Sequence, residues 1–232
     1  MIVIINNILI GKVVNNLKFV YRHKIGYRTI LIAMILICCS FSSAAAYSYW
    51  GSIIGFYKLD GGVTSGYYHN FASNITHNGK SYNMKTSFDS AFSIWMSDTE
   101  ANLIPLPTGS TATPKITAYS SSFPEKPKLY GWATMYKNGA NISPLLGEGA
   151  PSSSWDKAFV FLNVDGLDDY GMNYTASRAV AFHEIGHALG LAHFSGQPSI
   201  MDDTTTNGVL KILTQGWTIP QTDDINGINN LY

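Results

Sequence analysis

The chain has 232 residues, with 15 Lys and Arg against 15 Asp and Glu and hence a formal net charge of zero. That neutrality is uneven: no acid precedes Asp60, and from Tyr47 onward ten bases face fifteen acids, a net of −5, which argues against nucleic acid or an anionic membrane as partner. The two cysteines, Cys38 and Cys39, are adjacent and lie in an apolar stretch, so the remainder carries no disulfide framework.

In chain order, Lys12, Lys18, Arg22, Lys24 and Arg28 precede an apolar run from Ile30 to Phe41 and the small residues Ser42 to Ala46. This is the order of a secretory leader, with cleavage expected after Ala46. The apolar run is shorter than the about 20 residues of a membrane span. The long basic region and the apolar stretch Met1 to Ile10 nevertheless leave a retained anchor open. Residues 47–232 are then expected to form one secreted, monomeric domain, with no membrane contact unless the leader is kept. Within it, residues 47–66 are rich in Gly, Ser and Tyr and read as a short pro-segment or a first strand.

Tyr67 to Ile75 has strand character. Phe88, Ala91, Phe92, Trp95 and Met96 recur at helical spacing and predict a helix over Ser87 to Ser97. Ile116 to Tyr119 and Trp132 to Tyr136 read as strands, the second closing at Lys137-Asn138-Gly139. Ala158 to Leu162 is the plainest buried strand. Asp165-Gly166-Leu167-Asp168-Asp169 follows as an oxygen-rich loop, by default a polar turn and otherwise a candidate Ca2+ site. A helix capped by Thr175 then runs through Ala188. Strands first, with one helix among them and another later, indicate an α+β domain with a mixed sheet.

That last helix carries the chemistry. Residues 183 to 193 read His-Glu-Ile-Gly-His-Ala-Leu-Gly-Leu-Ala-His, the spacing H-E-x-x-H-x-x-G-x-x-H. His183 and His187 lie four apart, hence on one helix face about 6 Å apart along the axis, and both reach one Zn2+ ion. Gly190 lets the helix stop and the chain double back, because glycine tolerates the left-handed turn. His193 returns as the third ligand, and a fourth position stays open for water, the catalytic arrangement. Glu184 stands beside the metal as a general base for that water. Three of the six histidines fall in this run, which makes a chance helix a poor explanation. Finally Ile225, Ile228, Leu231 and Tyr232 share one face of a short helix, with Thr222 as cap and Asp223 and Asp224 at its positive end.

The histidine run, with Ser199-Ile200-Met201 placing a methionine eight residues after His193, resembles the metzincin metallopeptidases and their Met-turn. The eight-residue gap, the Asp-Asp-Ile-x-Gly-Ile pattern at residues 223–228 and the pair Ala91 and Trp95 are most similar to the matrixins. The resemblance implies a metzincin fold, a twisted mixed five-stranded sheet with three helices and a zinc cleft. It implies a zinc endopeptidase acting on protein or peptide substrates. It also implies that Met201 packs beneath the metal, and that Asp223 or Asp224 binds a mature N-terminal amine or supports the Met-turn. Departures are Phe194 after the third histidine and Asp202-Asp203-Thr204-Thr205 after Met201. Alternative readings are a non-catalytic, metal-stabilised surface protein, which would not need Glu184, and a zinc amidase of cell-wall peptide.

Overall fold

Along residues 157–163 the side chains of Ala158, Val160 and Leu162 are fully buried while Phe159 and Phe161 on the opposite face are half-buried. A strand with two such faces sits inside a sheet that is covered more heavily on one side. The computed structural model describes residues 47–232 apart from 53–54, 61–63, 70–73, 107–111, 144–148, 172, 196 and 207–208. The leader expected at residues 1–46 lies outside the described residues.

The first half contains β1 (Gly51–Ser52), β2 (Gly55–Phe56), β3 (Thr64–His69), β4 (Ile75–His77), β5 (Lys80–Tyr82), α1 (Met84–Asp98) and β6 (Asn102–Pro105). Next come β7 (Ile116–Ser121), β8 (Gly131–Lys137), β9 (Ala140–Asn141), β10 (Lys157–Asn163), α2 (Val164–Tyr170) and α3 (Tyr174–Leu189). The chain ends with β11 (Thr205–Thr206), β12 (Val209–Leu210), α4 (Lys211–Thr214) and α5 (Thr222–Leu231). The main sheet has the order β6-β3-β7-β10-β8-β9. β3 runs parallel to β6 and β7, and β7 parallel to β10, whereas β8 is antiparallel to both β10 and β9.

The architecture is α+β with a mixed sheet, as the order of elements indicates. The five longer strands of the mixed sheet are joined by the two-residue β9, and beside the longer helices α1, α3 and α5 stand the short α2 and α4. The turn at Asn138 and Gly139, both at positive φ, places β9 beside the end of β8. Asn83 moves the start of α1 ahead of Ser87, because its side chain accepts from the Thr86 N–H. The expected cap of α3 is likewise not Thr175 but Asn173, whose Oδ1 accepts from Ala176 N at 2.9 Å. At α5 the N-cap is Gln221 rather than Thr222. The expected strand at Tyr67 to Ile75 overlaps β3 through His69 and β4 at Ile75, and residues 70–73 of it lie outside the described residues.

Helices α1 and α3 cover one face of the sheet. Every residue of α3 from Ala179 to Leu189 is buried, so it is the central helix of the domain. Phe88, Phe92 and Trp95 of α1 share one buried core with Phe182 and Ile185, and the Trp95 ring meets that of Phe182 edge-on. Each such side chain contributes roughly 1.5–3 kcal/mol by leaving water. Polar bonds set the register: Trp95 Nε1 donates to Phe182 O at 3.1 Å, Trp155 Nε1 to Ala188 O at 2.9 Å, and the Ser87 and Ser177 hydroxyls bond at 2.6 Å. A helix gripped from both sides gives the side chains near its C-terminal end fixed positions.

Candidate metal centre

His183 and His187 project from that end of α3. The helix stops at Gly190, at φ +125°, whose N–H returns to the carbonyls of Gly186 and His187 at 3.1 Å. A side chain at Gly190 would also meet Leu231 at 2.9 Å and Tyr57 O at 3.1 Å, so both backbone and space demand glycine. The chain then folds back and brings His193 to the other two. Their Nε2 atoms lie 3.1 Å (His183–His187), 3.1 Å (His183–His193) and 3.0 Å (His187–His193) apart.

The opposite ring nitrogens explain why these three converge. His183 Nδ1 donates to Ile200 O and His187 Nδ1 to Leu191 O, both at 2.8 Å, and His193 Nδ1 lies 3.1 Å from Asp203 Oδ2. Carbonyl and carboxylate oxygens only accept, so each neutral ring carries its proton on Nδ1 and presents a bare Nε2. Burial, and the adjoining His193, push His183 down to about 3, and burial lowers His187 and His193 as well, so the rings are neutral at ordinary pH. Three lone pairs facing one another need a cation between them. A point 2.0–2.1 Å from all three nitrogens lies about 1 Å off their plane. The donor set therefore fits zinc.

Met201 lies against the helix between the two ligands. A Cβ on Gly186 would sit 2.5 Å from Met201 Sδ and 3.4 Å from Trp95, so only glycine admits the thioether there. Asp224 braces the loop that carries Met201: its carboxylate, 2 % exposed, accepts from Ser199 Oγ at 2.6 Å, Ile200 N at 2.8 Å and Gln221 N at 2.7 Å. Burial raises its pKa, against the pull of those donors. Asp224 thus touches the Met-turn, whereas Asp223 has no hydrogen bond or ion pair among the described residues. From the N-terminal part of the domain, the Trp50 ring lies tilted beside His187 and His193, at centroid distances of 5.2 and 6.3 Å. Its strand-like segment is tied to the loop through Trp50 N to Gly190 O and Ala192 N to Ser48 O.

Glu184 is 5 % exposed, and among the described residues its carboxylate has no hydrogen-bond partner. Burial raises its pKa well above the usual carboxylate range. It lines a cavity of about 380 Å³ with the three histidines, Tyr130, Gly131, Trp132, Asp203 and Leu210. Gly131 begins β8 in direct contact with the helix: a Cβ there would meet Val180 at 2.7 Å and Glu184 Cγ at 3.0 Å. Beyond β8, among the described residues, stands β9, which pairs with Tyr136 and Lys137, while Met135 O accepts from Ile142 N and Met135 N donates to Ser143 Oγ. From Gly131 to Thr134 that edge is unpaired among the described residues.

The segment Asp165–Asp169 is not a loop. It forms most of α2, because Asn163 caps it by accepting from Asp165 N and Gly171 ends it in the left-handed conformation. Two of its three carboxylates are engaged: Asp168 binds Lys80, Asn78 and Tyr82 at 2.7–2.8 Å, and Asp165 accepts from Ser122 Oγ and Phe123 N at 2.7 Å. Trp50, Gly131, Gly186 and Asp203 escaped the sequence reading, since each acts only through a partner brought near by the fold. Gly186 alone carried a local sign, as a glycine inside a helix.

Two comparisons bear on this site. The sequence model of the matrixin peptidases matches residues 68–232. A stretch of 73 residues is 44 % identical to Metalloendoproteinase 2-MMP of Arabidopsis thaliana. That match covers 30 % of this chain and 18 % of the plant protein.

Proposed function

This chain belongs to the matrixin family, and on that premise we propose that it is a secreted zinc endopeptidase in which His183, His187 and His193 hold the metal and Glu184 is the general base. One observation carries the reading: three bare Nε2 atoms within 3.1 Å of one another, beside a buried carboxylate without a hydrogen-bond partner among the described residues. Zinc bound there supplies a Lewis acid for a peptide carbonyl and lowers the pKa of water to about 7.

The chain's own residues do the rest. Glu184, a buried carboxylate lining the same cavity as the three histidines, takes a proton from the attacking water and passes it to the leaving amine. Trp50 lies beside the His187 and His193 rings, and Met201 packs against the helix between His183 and His187. The edge from Gly131 to Thr134, unpaired among the described residues, offers backbone donors and acceptors to an extended peptide, which adds to the sheet as a further strand. Because Gly131 lies against Glu184, a peptide on that edge passes beside the carboxylate. The substrates are therefore protein chains, and the leader at residues 1–46 directs the domain out of the cell.

The test is cleavage of an unfolded protein by the purified chain, followed by mass spectrometry. Cleavage should stop on treatment with a chelator and return on adding zinc. Cleavage that persists in the metal-free chain would overturn the proposal.

A further inference from the structure

We infer that Asp203 is the positioning residue of the third ligand: its carboxylate accepts the Nδ1–H of His193 and so turns Nε2 toward the other two histidines. This rests on the zinc reading above. The three rings are not held alike. His183 and His187 stand on a buried helix, and each is oriented by a backbone carbonyl at 2.8 Å. His193 follows the end of that helix, and its side chain is 37 % exposed, so neither helical neighbours nor burial fixes its rotation. Among the described residues, the one group on its outer nitrogen is Asp203 Oδ2 at 3.1 Å.

Asp203 can serve because its own backbone is braced. The preceding Asp202 is fully buried; its Oδ1 accepts from Thr204 N and the Thr204 hydroxyl, and its Oδ2 from Lys211 Nζ at 2.9 Å. Asp202 N also donates to Ser199 O, and Phe194 N to Met201 O at 3.0 Å, which ties the segment after His193 to the loop bearing Asp203. The carboxylate is therefore presented from a braced loop to a ring whose outer nitrogen has no other partner among the described residues. A carboxylate in that position also makes the imidazole a stronger donor, which a carbonyl does less well.

The experiment measures zinc affinity by chelator competition, with Asp203→Ala, Asp203→Asn and His193→Ala beside the wild type, and melting of each zinc-free chain. Outer partners of metal-bound histidines are typically worth about 10–100-fold in affinity. Asp203→Ala should lose zinc affinity in that range. Asp203→Asn, which keeps an oxygen acceptor, should lose less, and the zinc-free melts should coincide. Asp203→Ala binding within about twofold of wild type, while His193→Ala loses the metal, would overturn this role alone. A fall in the zinc-free melt as large as that seen with zinc would overturn it too, by showing a merely structural contact. Wild type and His193→Ala binding zinc equally weakly would instead overturn the metal centre itself, and this role with it.

Discussion

Removing the Asp224 carboxylate should cost the domain a large part of its stability and loosen the first ligand. In Asp224→Ala the Ile200 N–H is left in a site where Ile200 is fully buried, and an unsatisfied buried donor costs about 1–3 kcal/mol. The Ser199 hydroxyl loses its acceptor at 2.6 Å, and the half-buried Gln221 N–H loses its own at 2.7 Å, for about 1 kcal/mol each. Relief from burying the carboxylate, which raises its pKa, offsets part of this. The net is about 3 kcal/mol, against a total of about 5–15 kcal/mol for a domain. At about 2–4 °C per kcal/mol for this size, the melting temperature should fall by roughly 10 °C. Asp224→Asn keeps one acceptor oxygen and should fall about half as far. The assay is thermal unfolding followed by circular dichroism on zinc-free protein, since bound metal adds its own stabilisation. Zinc affinity should fall as well, because Ile200 supplies the carbonyl that orients His183. A zinc-free Asp224→Ala chain that melts within about 2 °C of wild type would refute this reasoning.

Gly186→Ala gains about 1 kcal/mol of helix propensity but overpacks the Met201 thioether, at about 1–3 kcal/mol, so a net loss near 1 kcal/mol is expected in urea unfolding. Adding Met201→Ala should recover part of that loss relative to the single Met201→Ala chain; strict additivity would place the sulfur elsewhere. Donors from Lys80, then Asn78 and Tyr82, hold Asp168 well below the usual carboxylate range. With its folded pKa depressed, its contribution is present above the unfolded value of about 3.9 and is lost as pH falls below it. The gap in urea midpoint between wild type and Asp168→Asn should therefore narrow from about pH 6 to pH 2, and a constant gap would contradict the assignment. A chain that starts at residue 61 should bind zinc poorly and melt early, because it lacks the fully buried Leu59 and the backbone bonds from Ser48 and Trp50 to the ligand loop. Full zinc affinity in that chain would mark the segment as dispensable.

The site was legible to the extent that its chemistry is local. His183, Glu184 and His187 share one helix, Gly190 announces the turn, and His193 and Met201 follow at short separations, so spacing alone indicates what they can build. The buried strand β10 was equally plain, since five apolar residues in a row leave few other readings. The parallel strand β6 carried no such pattern, and its place depends on pairing with β3. Asp165 to Asp169 looked like a loop because three acids and a glycine suggest one, yet the cap at Asn163 and the stop at Gly171 decide for a helix. Trp50 and Asp203 were out of reach for a different reason. An aromatic ring 137 residues from His187, or an acid ten residues past His193, has meaning only after the chain has folded. Gly131 shows the same limit: its lack of a side chain matters only because α3 lies across it.

The most direct test of the central claim measures metal content and protein cleavage on the same preparations of wild type and Glu184→Gln. Both should carry one zinc per chain, since Glu184 is not a ligand, and only the wild type should cut an unfolded protein. Glu184→Gln cutting at the wild-type rate, or a zinc-loaded wild type that cuts nothing, would contradict it.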